Sequence, residues 1–523
     1  MIRTELIRPI PSLLSAHASE RGGEPAFSDD TLEVSYGELF ERTARLAGNL
    51  RALGVEDGDR VAIYAGNRVE VAESYLAIPR AGGVAMCANP SSAPREVEFM
   101  LSDSGARVLL VDHEHLDQGL PLARQTNTVE HVVVIGDAAD AGDGSDGLAQ
   151  VTYDELVTTD PPKPAPDDLD LDAPAWMLYT SGTTGRPKGV LLSQRSCLWV
   201  VAACWAPIVG LGPDDHVLSP LPLFHSYALD LAVLGVAATG ASERLLPSFS
   251  PARVVELLRT ERVTLLPGVP TMFQYLVDTL ETEALDARAL RVCVSAGAIL
   301  PAALNEAFEE VAGVPLLDGY GITETSTMVT MNWPSGGRPR GSCGLPVTGS
   351  AVRIVDPSSG DDLAGGEDGE LWVRGPHVML GYHNRPDATE EALSGGWYHT
   401  GDLARMDTDG YITISGRIKE LIIRGGENVY PAEVEAVLVE HPSIADAAVV
   451  AKEDPSLGEV PVAFAIPREG ETLDGEDIIE YCRDHLSAYK VPVEIRPVEE
   501  IPRTGSGKVM RHRLQELLEP AEG

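Results

Sequence analysis

Two hydrophobic periods alternate along most of the chain. Residues 33–53 carry Leu39, Ala44, Leu46 and Leu50 at helical spacing, with Ser35 placed to cap the first turn. Arg60-Val61-Ala62-Ile63-Tyr64 then reads as a strand, and residues 72–82 read as a helix closed by Gly82-Gly83. Short apolar runs at 108–111, 131–135 and 175–178 have the make-up of strands buried on both faces. The alternation continues with strands expected at 217–225 (ending at His225), 263–266 and 291–295, and an amphipathic helix at 253–260. Strands interleaved with helices predict an α/β fold with parallel, helix-covered sheets.

The pattern changes character twice. Residues 350–415 hold short β-rich runs between Gly/Asp turns, which predicts an antiparallel or barrel-like piece. After Gly416 a compact unit follows, with helices expected at 431–440 and 475–486 and strands at 447–452 and 460–466. Residues 136–147, rich in Gly, Asp and Ala, read as a solvated loop, and the Pro-rich stretch 160–168 reads as an extended linker. The longest apolar run, 198–211, is shorter than the roughly 18–20 residues of a membrane span and contains Pro207. Met1-Ile2-Arg3-Thr4-Glu5 is not followed by the apolar core of a signal peptide.

Composition narrows the chemistry. The 523 residues are 44% hydrophobic and 23% charged, a globular balance long enough for several domains. A formal net charge of −40 argues against nucleic acid and against stable residence on or in an anionic membrane. An anionic ligand would have to meet locally concentrated positive charge. Only six of the forty basic residues are lysines: Lys163, Lys188, Lys419, Lys452, Lys490 and Lys508. The six cysteines form no C-x-x-C pair and sit mostly in apolar contexts, which predicts reduced thiols and a cytoplasmic location.

Five stretches carry candidate chemistry. Thr180-Ser181-Gly182-Thr183-Thr184-Gly185-Arg186-Pro187-Lys188 follows a strand and combines hydroxyl donors, glycines that let backbone N–H groups converge, and a compact cation. It suits a polyphosphate, although its spacing is not that of a P-loop. Gly319-Tyr320-Gly321-Ile322-Thr323-Glu324-Thr325 offers a ring to stack on a base, a hydroxyl for a phosphate and a carboxylate for Mg²⁺; alone, it reads more readily as a turn with a half-buried tyrosine. Asp402 in His399-Thr400-Gly401-Asp402 could accept ribose hydroxyls or be a plain turn residue. Arg417, Lys419, Gly425 and Gly426 lie between the β-rich piece and the C-terminal unit, as a hinge and close-approach loop or as an ordinary strand and turn. Lys508 lies in a Gly/Ser loop near the C-terminus that composition alone would call a solvated tail.

In order and spacing these stretches resemble the core motifs of the adenylate-forming superfamily, and Gly425-Gly426-Glu427-Asn428-Val429-Tyr430-Pro431 resembles its bacterial acyl-CoA ligases. The resemblance covers nearly the whole chain. It implies a large N-terminal domain (1–415) of two helix-covered, mostly parallel sheets plus a barrel-like piece, and a small mobile α+β domain (416–523) hinged near 417–420. It implies ATP, Mg²⁺ and coenzyme A as cofactors and co-substrates. By the same resemblance Thr180, Ser181, Gly182, Thr183, Thr184 and Lys188 cradle phosphates, and Gly297, Ala298, Gly319, Tyr320 and Gly321 form the adenine pocket. Asp402 and Arg417 hold the ribose, Thr323 contacts phosphate, and Glu324 and Thr184 serve the metal. Lys508 bridges the attacking carboxylate and the α-phosphate, His225 lies near that carboxylate, Lys419 is the pivot, and Gly425-Gly426 meets the pantetheine arm. Phe224 to Ala228, with Trp205, Val269, Met272 and Met328, would border the acyl group; Ile299 departs from the proline usual after the adenine-pocket alanine. The implied reaction is ATP-dependent thioesterification of a hydrophobic, fatty acid. Its alternatives are an aryl or cinnamate-type acid, and transfer to a separate acyl-carrier protein; a nucleotide-binding regulator is the non-enzymatic alternative.

Overall fold

The computed structural model describes residues 1–136, 148–180, 187–280, 287, 289–504 and 508–518. One sheet runs Leu345–Pro346, Thr327–Met331, Leu316–Ile322, Val292–Ser295, Leu265–Gly268, His216–Ser219, Ser242–Leu245, Pro25–Ser28, Glu33–Ser35. Its pairings from Leu316–Ile322 through Pro25–Ser28 are parallel, and antiparallel strands close both edges. A second sheet runs Gly381–Tyr382, Lys188–Ser193, Pro174–Thr180, Val84–Cys87, Arg60–Tyr64, Val108–Asp112, His131–Ile135, Ala149–Thr152. It is parallel from Pro174–Thr180 onward and antiparallel across its first two pairings.

The two sheets share one core because a helix lies between them. Val69–Arg80 is buried along almost its whole length. Trp176 of the second sheet donates its indole N–H to the Tyr75 carbonyl at 3.1 Å, and Tyr75 donates its hydroxyl to the Leu223 carbonyl beyond the first sheet at 2.9 Å. Glu73 is buried in the same helix. Arg42 satisfies it at 2.5 and 2.9 Å, with the Tyr153 hydroxyl at 3.1 Å, so the desolvated carboxylate accepts three hydrogen bonds from two partners. Arg42 belongs to Tyr36–Ala52, the helix expected at 33–53, and its Ser35/Glu38 capping box forms. The linker at 160–168 lies against this helix and is held by a forked Arg80–Asp167 pair.

Two expectations change. The run 217–225 stays a strand only to Ser219, because Pro220 and Pro222 cannot donate to the ladder. His225 therefore does not end a strand; it closes a turn, its N–H on the Pro222 carbonyl. The apolar run at 198–211 winds through a wide π-type segment, Val201–Val209, packed against another, Ala228–Gly235. Among the described residues no helix is long and apolar enough to cross a membrane.

The β-rich piece is a four-stranded antiparallel sheet: Ala351–Val355, Gly369–Arg374, Tyr398–Met406, Ile412–Arg417. The C-terminal unit packs helices Pro431–Glu440 and Gly475–His485 on a sheet built around Ile444–Asp454 and Gly458–Pro467. All six cysteines are buried free thiols.

Gly321 marks where the first sheet turns into the site. A Cβ there would lie 1.3 Å from the Thr327 carbonyl oxygen, whereas at Gly313, a left-handed helix cap with φ +69°, it would meet nothing within 4 Å. Gly321→Ala is expected to lose about 3 kcal/mol or more through overpacking against rigid backbone. Gly313→Ala is expected to lose about 1 kcal/mol through its φ alone. Urea unfolding of the two variants measures the difference.

Candidate active site

The candidate residues gather where the parallel strands end at their C-terminal edges, where open α/β sheets hold ligands. The strand Leu316–Ile322 contains Gly319, Tyr320 and Gly321, so the first half of that motif is strand rather than a following turn. Thr323–Thr325 make one tight turn, and the chain returns as Thr327–Met331. Gly319 is required by crowding, since a Cβ would lie 2.6 Å from Met331 Cε. After Val292–Ser295 the chain swings out through Gly297 at φ +89°, with Ala298 and Ile299 exposed.

One end of the cluster is organised by Asp402. It is 3% exposed. Tyr320 donates its hydroxyl to Asp402 Oδ2 at 2.5 Å, and Arg417 Nε pairs with Oδ1 at 2.9 Å. Asp402 and Arg417 face each other across neighbouring strands. Gly401, at φ +69°, interrupts the strand just before, and its N–H is caught by Glu370 Oε1 at 2.9 Å. The register slips on both flanking pairings, which turns the aspartate toward the cluster. Asp402 raises the pKa of Arg417, and burial together with Asp402 pushes the Tyr320 phenol well above its usual range.

The other end holds Lys188 and Glu324. Thr180 and Lys188 face each other across the Pro174–Thr180 and Lys188–Ser193 hairpin. Ser181, Gly182, Thr183 and Thr184 lie outside the described residues. Lys188 Nζ sits 4.8 Å from the centre of the Tyr382 ring, and the Tyr382 hydroxyl donates to Glu324 Oε1 at 3.1 Å. Thr323 Oγ1 is 3.4 Å from Ser226 Oγ. Burial raises the proton affinity of Glu324, against the pull of Tyr382, Lys508 and Arg417. A desolvated carboxylate short of positive charge is a hard oxygen donor of the kind Mg²⁺ takes alongside phosphate oxygens.

Lys508 and His225 complete the cluster. Lys508 comes from the C-terminal unit on a loop closed by Thr504 N–H to Lys508 O at 2.7 Å and Lys508 N–H to Thr504 Oγ1 at 3.1 Å. Burial and the Arg417 charge lower its pKa, while Asp402, Glu324 and Glu420 oppose them. Its ammonium therefore lies within the field of both ends of the site. Burial, then Lys508, pushes the His225 imidazole down to about 4. Its Nδ1 accepts from the Tyr227 N–H at 3.2 Å, which leaves the proton of the neutral ring on Nε2.

Lys419, Gly425 and Gly426 stand apart from this cluster. Lys419 is exposed on the single turn Ile418–Glu420. Gly425 and Gly426, at φ +61° and +90°, form the exposed tip of a hairpin between Ile422–Arg424 and Glu427–Val429. Around the acyl candidates, Phe224, Val269 and Met272 are half-buried. Trp205 and Met328 are buried behind that layer: Trp205 stacks on Tyr227 at 6.0 Å, and Met328 lies under Gly319. Tyr382 is not among the residues the sequence points to, and Ser226, expected beside the acyl group, instead has its hydroxyl by Thr323. Tyr382 sits on a two-residue strand, too short to leave a periodicity, and its partners are distant in sequence.

The model of the AMP-binding enzyme family matches residues 14–383, and that of the AMP-binding enzyme C-terminal domain matches residues 433–508. A feruloyl-CoA synthase of an Amycolatopsis species is 37% identical over 481 residues, covering 91% of this chain and 92% of that protein. A long-chain-fatty-acid–CoA ligase of Yersinia pestis is 35% identical over 519 residues, covering 94% and 91%. The crystal structure of the anthranilate CoA ligase AuaEII with anthranoyl-AMP superposes with a TM-score of 0.90 at 28% identity, covering 98% and 97%. With both family models matched and whole-length relatives of one activity, the chain belongs to the AMP-binding enzyme family, in its acyl- and aryl-CoA ligase branch, and uses ATP, Mg²⁺ and coenzyme A to make a thioester through an acyl-adenylate.

Proposed function

We propose that the acid is a compact aromatic or arylalkenyl carboxylic acid. The observation that carries this reading is Tyr227. Its ring is 2% exposed, its hydroxyl donates to the Val294 carbonyl at 3.1 Å, and Trp205 stacks behind it. A ring stacked on Trp205 and held at its tip makes a fixed wall between the strand Val292–Ser295 and the segment Ala228–Gly235. A flat acid fits in front of such a wall, whereas a long alkyl chain would have to displace it. The feruloyl and anthranilate relatives support the same choice. A long-chain fatty acid is the second reading, favoured by the long-chain relative and by apolar Val269 and Met272 at the mouth. The free, buried thiols fit a reducing, cytoplasmic setting.

The chemistry follows from charge. A carboxylate oxygen forms a bond to the α-phosphorus, and the bond to the bridging oxygen breaks, releasing pyrophosphate. CoA thiolate then adds to the acyl carbonyl and AMP leaves. Bringing a carboxylate to a polyphosphate sets like charges together, so cations fixed around them stabilise the transition state. In this reading Lys508 lies between the two anions, Lys188 and the 180–184 loop hold the terminal phosphates, and Asp402 with Arg417 holds the ribose. Tyr320, Gly297 and Ala298 frame the base. Mg²⁺, when bound beside Glu324, supplies further neutralisation of the phosphates. Neutral His225 donates from Nε2 toward the acid without adding charge. Residues 1–415 and 416–523 act as two units turning about 417–420, which withdraws Lys508 and brings Gly425-Gly426 to the thiol.

Pyrophosphate release and thioester formation across benzoic, cinnamic and C6 to C16 fatty acids, with and without CoA, test the substrate class. Cinnamates or benzoates are expected to lead; preference for C12 to C16 acids overturns the aromatic reading, and transfer only to an added carrier protein overturns CoA as acceptor. Lys508→Ala is expected to slow acyl-adenylate formation by about 10²–10³-fold. It should leave thioester formation from preformed adenylate largely intact, and single-turnover assays of both halves read this. With its pKa near 4, His225 stays neutral from pH 8 down to about 5. No acid limb near pH 6.5 is therefore expected from it in the pH–rate profile of pyrophosphate release.

A further inference from the structure

We propose that Tyr382 is a positioning residue that sets the spacing between Glu324 and Lys188 for the adenylation step. The proposal rests on reading Glu324 as the carboxylate beside the metal and Lys188 as a phosphate-binding cation. Glu324 belongs to the end of the first sheet and Lys188 to the second. Nothing in either local sequence fixes their separation. The segment 379–383 straps the two together. Met379 N–H bonds the Glu324 carbonyl at 2.8 Å, Leu380 N–H bonds Leu191 O at 2.9 Å, and His383 N–H bonds Gly189 O at 2.7 Å. Between these anchors Gly381–Tyr382 pairs with Leu191 and Val190, and the Tyr382 N–H is held by Thr389 Oγ1 at 2.9 Å.

With its backbone fixed to both sheets, Tyr382 uses each part of its side chain on one of the two charged groups. The hydroxyl donates to Glu324 Oε1 at 3.1 Å. That bond engages one oxygen and fixes the plane of the carboxylate, as outer partners of metal ligands do. The ring face lies 4.8 Å from Lys188 Nζ, which limits a flexible ammonium to one side of the site. Tyr398, 4% exposed, lies beside both Tyr382 and Glu324 and backs the hydroxyl from the third sheet. One phenol thus orients a carboxylate by its tip and a cation by its face.

The test uses the full-length protein and three variants. Tyr382→Phe keeps the ring and removes the hydroxyl, Tyr382→Leu removes both, and Glu324→Gln is the control for the site itself. Binding of Mn²⁺ in the presence of ATP, followed by electron paramagnetic resonance, gives a readout independent of turnover; thermal midpoints check that each variant is folded. Tyr382→Phe is expected to weaken Mn²⁺·ATP binding and slow adenylation by about 10-fold or more, as loss of an outer partner does. It should leave thioester formation from preformed adenylate within about twofold. Tyr382→Leu should in addition raise the KM for ATP, through the loosened Lys188. Normal Mn²⁺ binding and adenylation in Tyr382→Phe, alongside their loss in Glu324→Gln, overturns the positioning role alone. Normal Mn²⁺ binding in Glu324→Gln overturns the assignment beneath it. Equal loss of both half-reactions in Tyr382→Phe marks a general structural effect and also overturns the proposal.

Discussion

The buried carboxylate of Asp402 ties the end of the first parallel sheet to the four-stranded antiparallel sheet beside it. Its oxygens are divided between Tyr320, on the first parallel sheet, and Arg417, the last residue of the strand Ile412–Arg417. Both donors reach it within hydrogen-bond distance, and little water does, since it is 3% exposed. Removing either donor would leave a desolvated charge underpaired, a far larger loss than the net worth of one surface ion pair. The Tyr320 ring, the Asp402 carboxylate and the end of the strand Ile412–Arg417 are therefore set by one pair of contacts.

Much of this was legible from residues that act locally. The Ser35 cap, the Gly319–Thr325 motif and the helix at 431–440 depend on neighbours within a turn or two, so their sequence carries the information. His225 shows the limit. An apolar run continued through it, but Pro220 and Pro222 stop the ladder at Ser219, and two missing N–H groups outweigh the hydrophobic pattern. Tyr382 was beyond reach for another reason. Its meaning lies in Glu324 and Lys188, which reach it only after two sheets and the strap between them have formed. The membership in the family came from the order of five motifs, none decisive alone; the setting of Tyr227 did not, because it depends on Trp205 and the Val294 carbonyl from separate elements.

The electrostatics follow the same division between local and assembled. A chain of net charge −40 handles polyanionic substrates by placing a few cations where the field converges. Lys508 feels Arg417 as a repelling neighbour and Asp402, Glu324 and Glu420 as attracting ones. Burial and Arg417 outweigh those carboxylates, and the lysine's pKa falls. Arg511, three residues on, fastens that loop to Glu420 at 3.1 Å and to Glu435 at 2.6 Å, so the lysine and the start of the C-terminal unit are linked as one piece.

The exposed hairpin at Gly425-Gly426 has a bearing on timing. In the arrangement described, Lys508 lies in the field of Asp402 and Glu324 while that hairpin is in solvent, and both are carried by the same small unit. On the proposed pivot they are mutually exclusive occupants of the site: the surface that would guide a thiol arrives only as the cation for the first step departs. A molecule built this way needs no separate signal to order its two reactions, and a reactive mixed anhydride made in the first is covered until the acceptor's own binding surface replaces the cover.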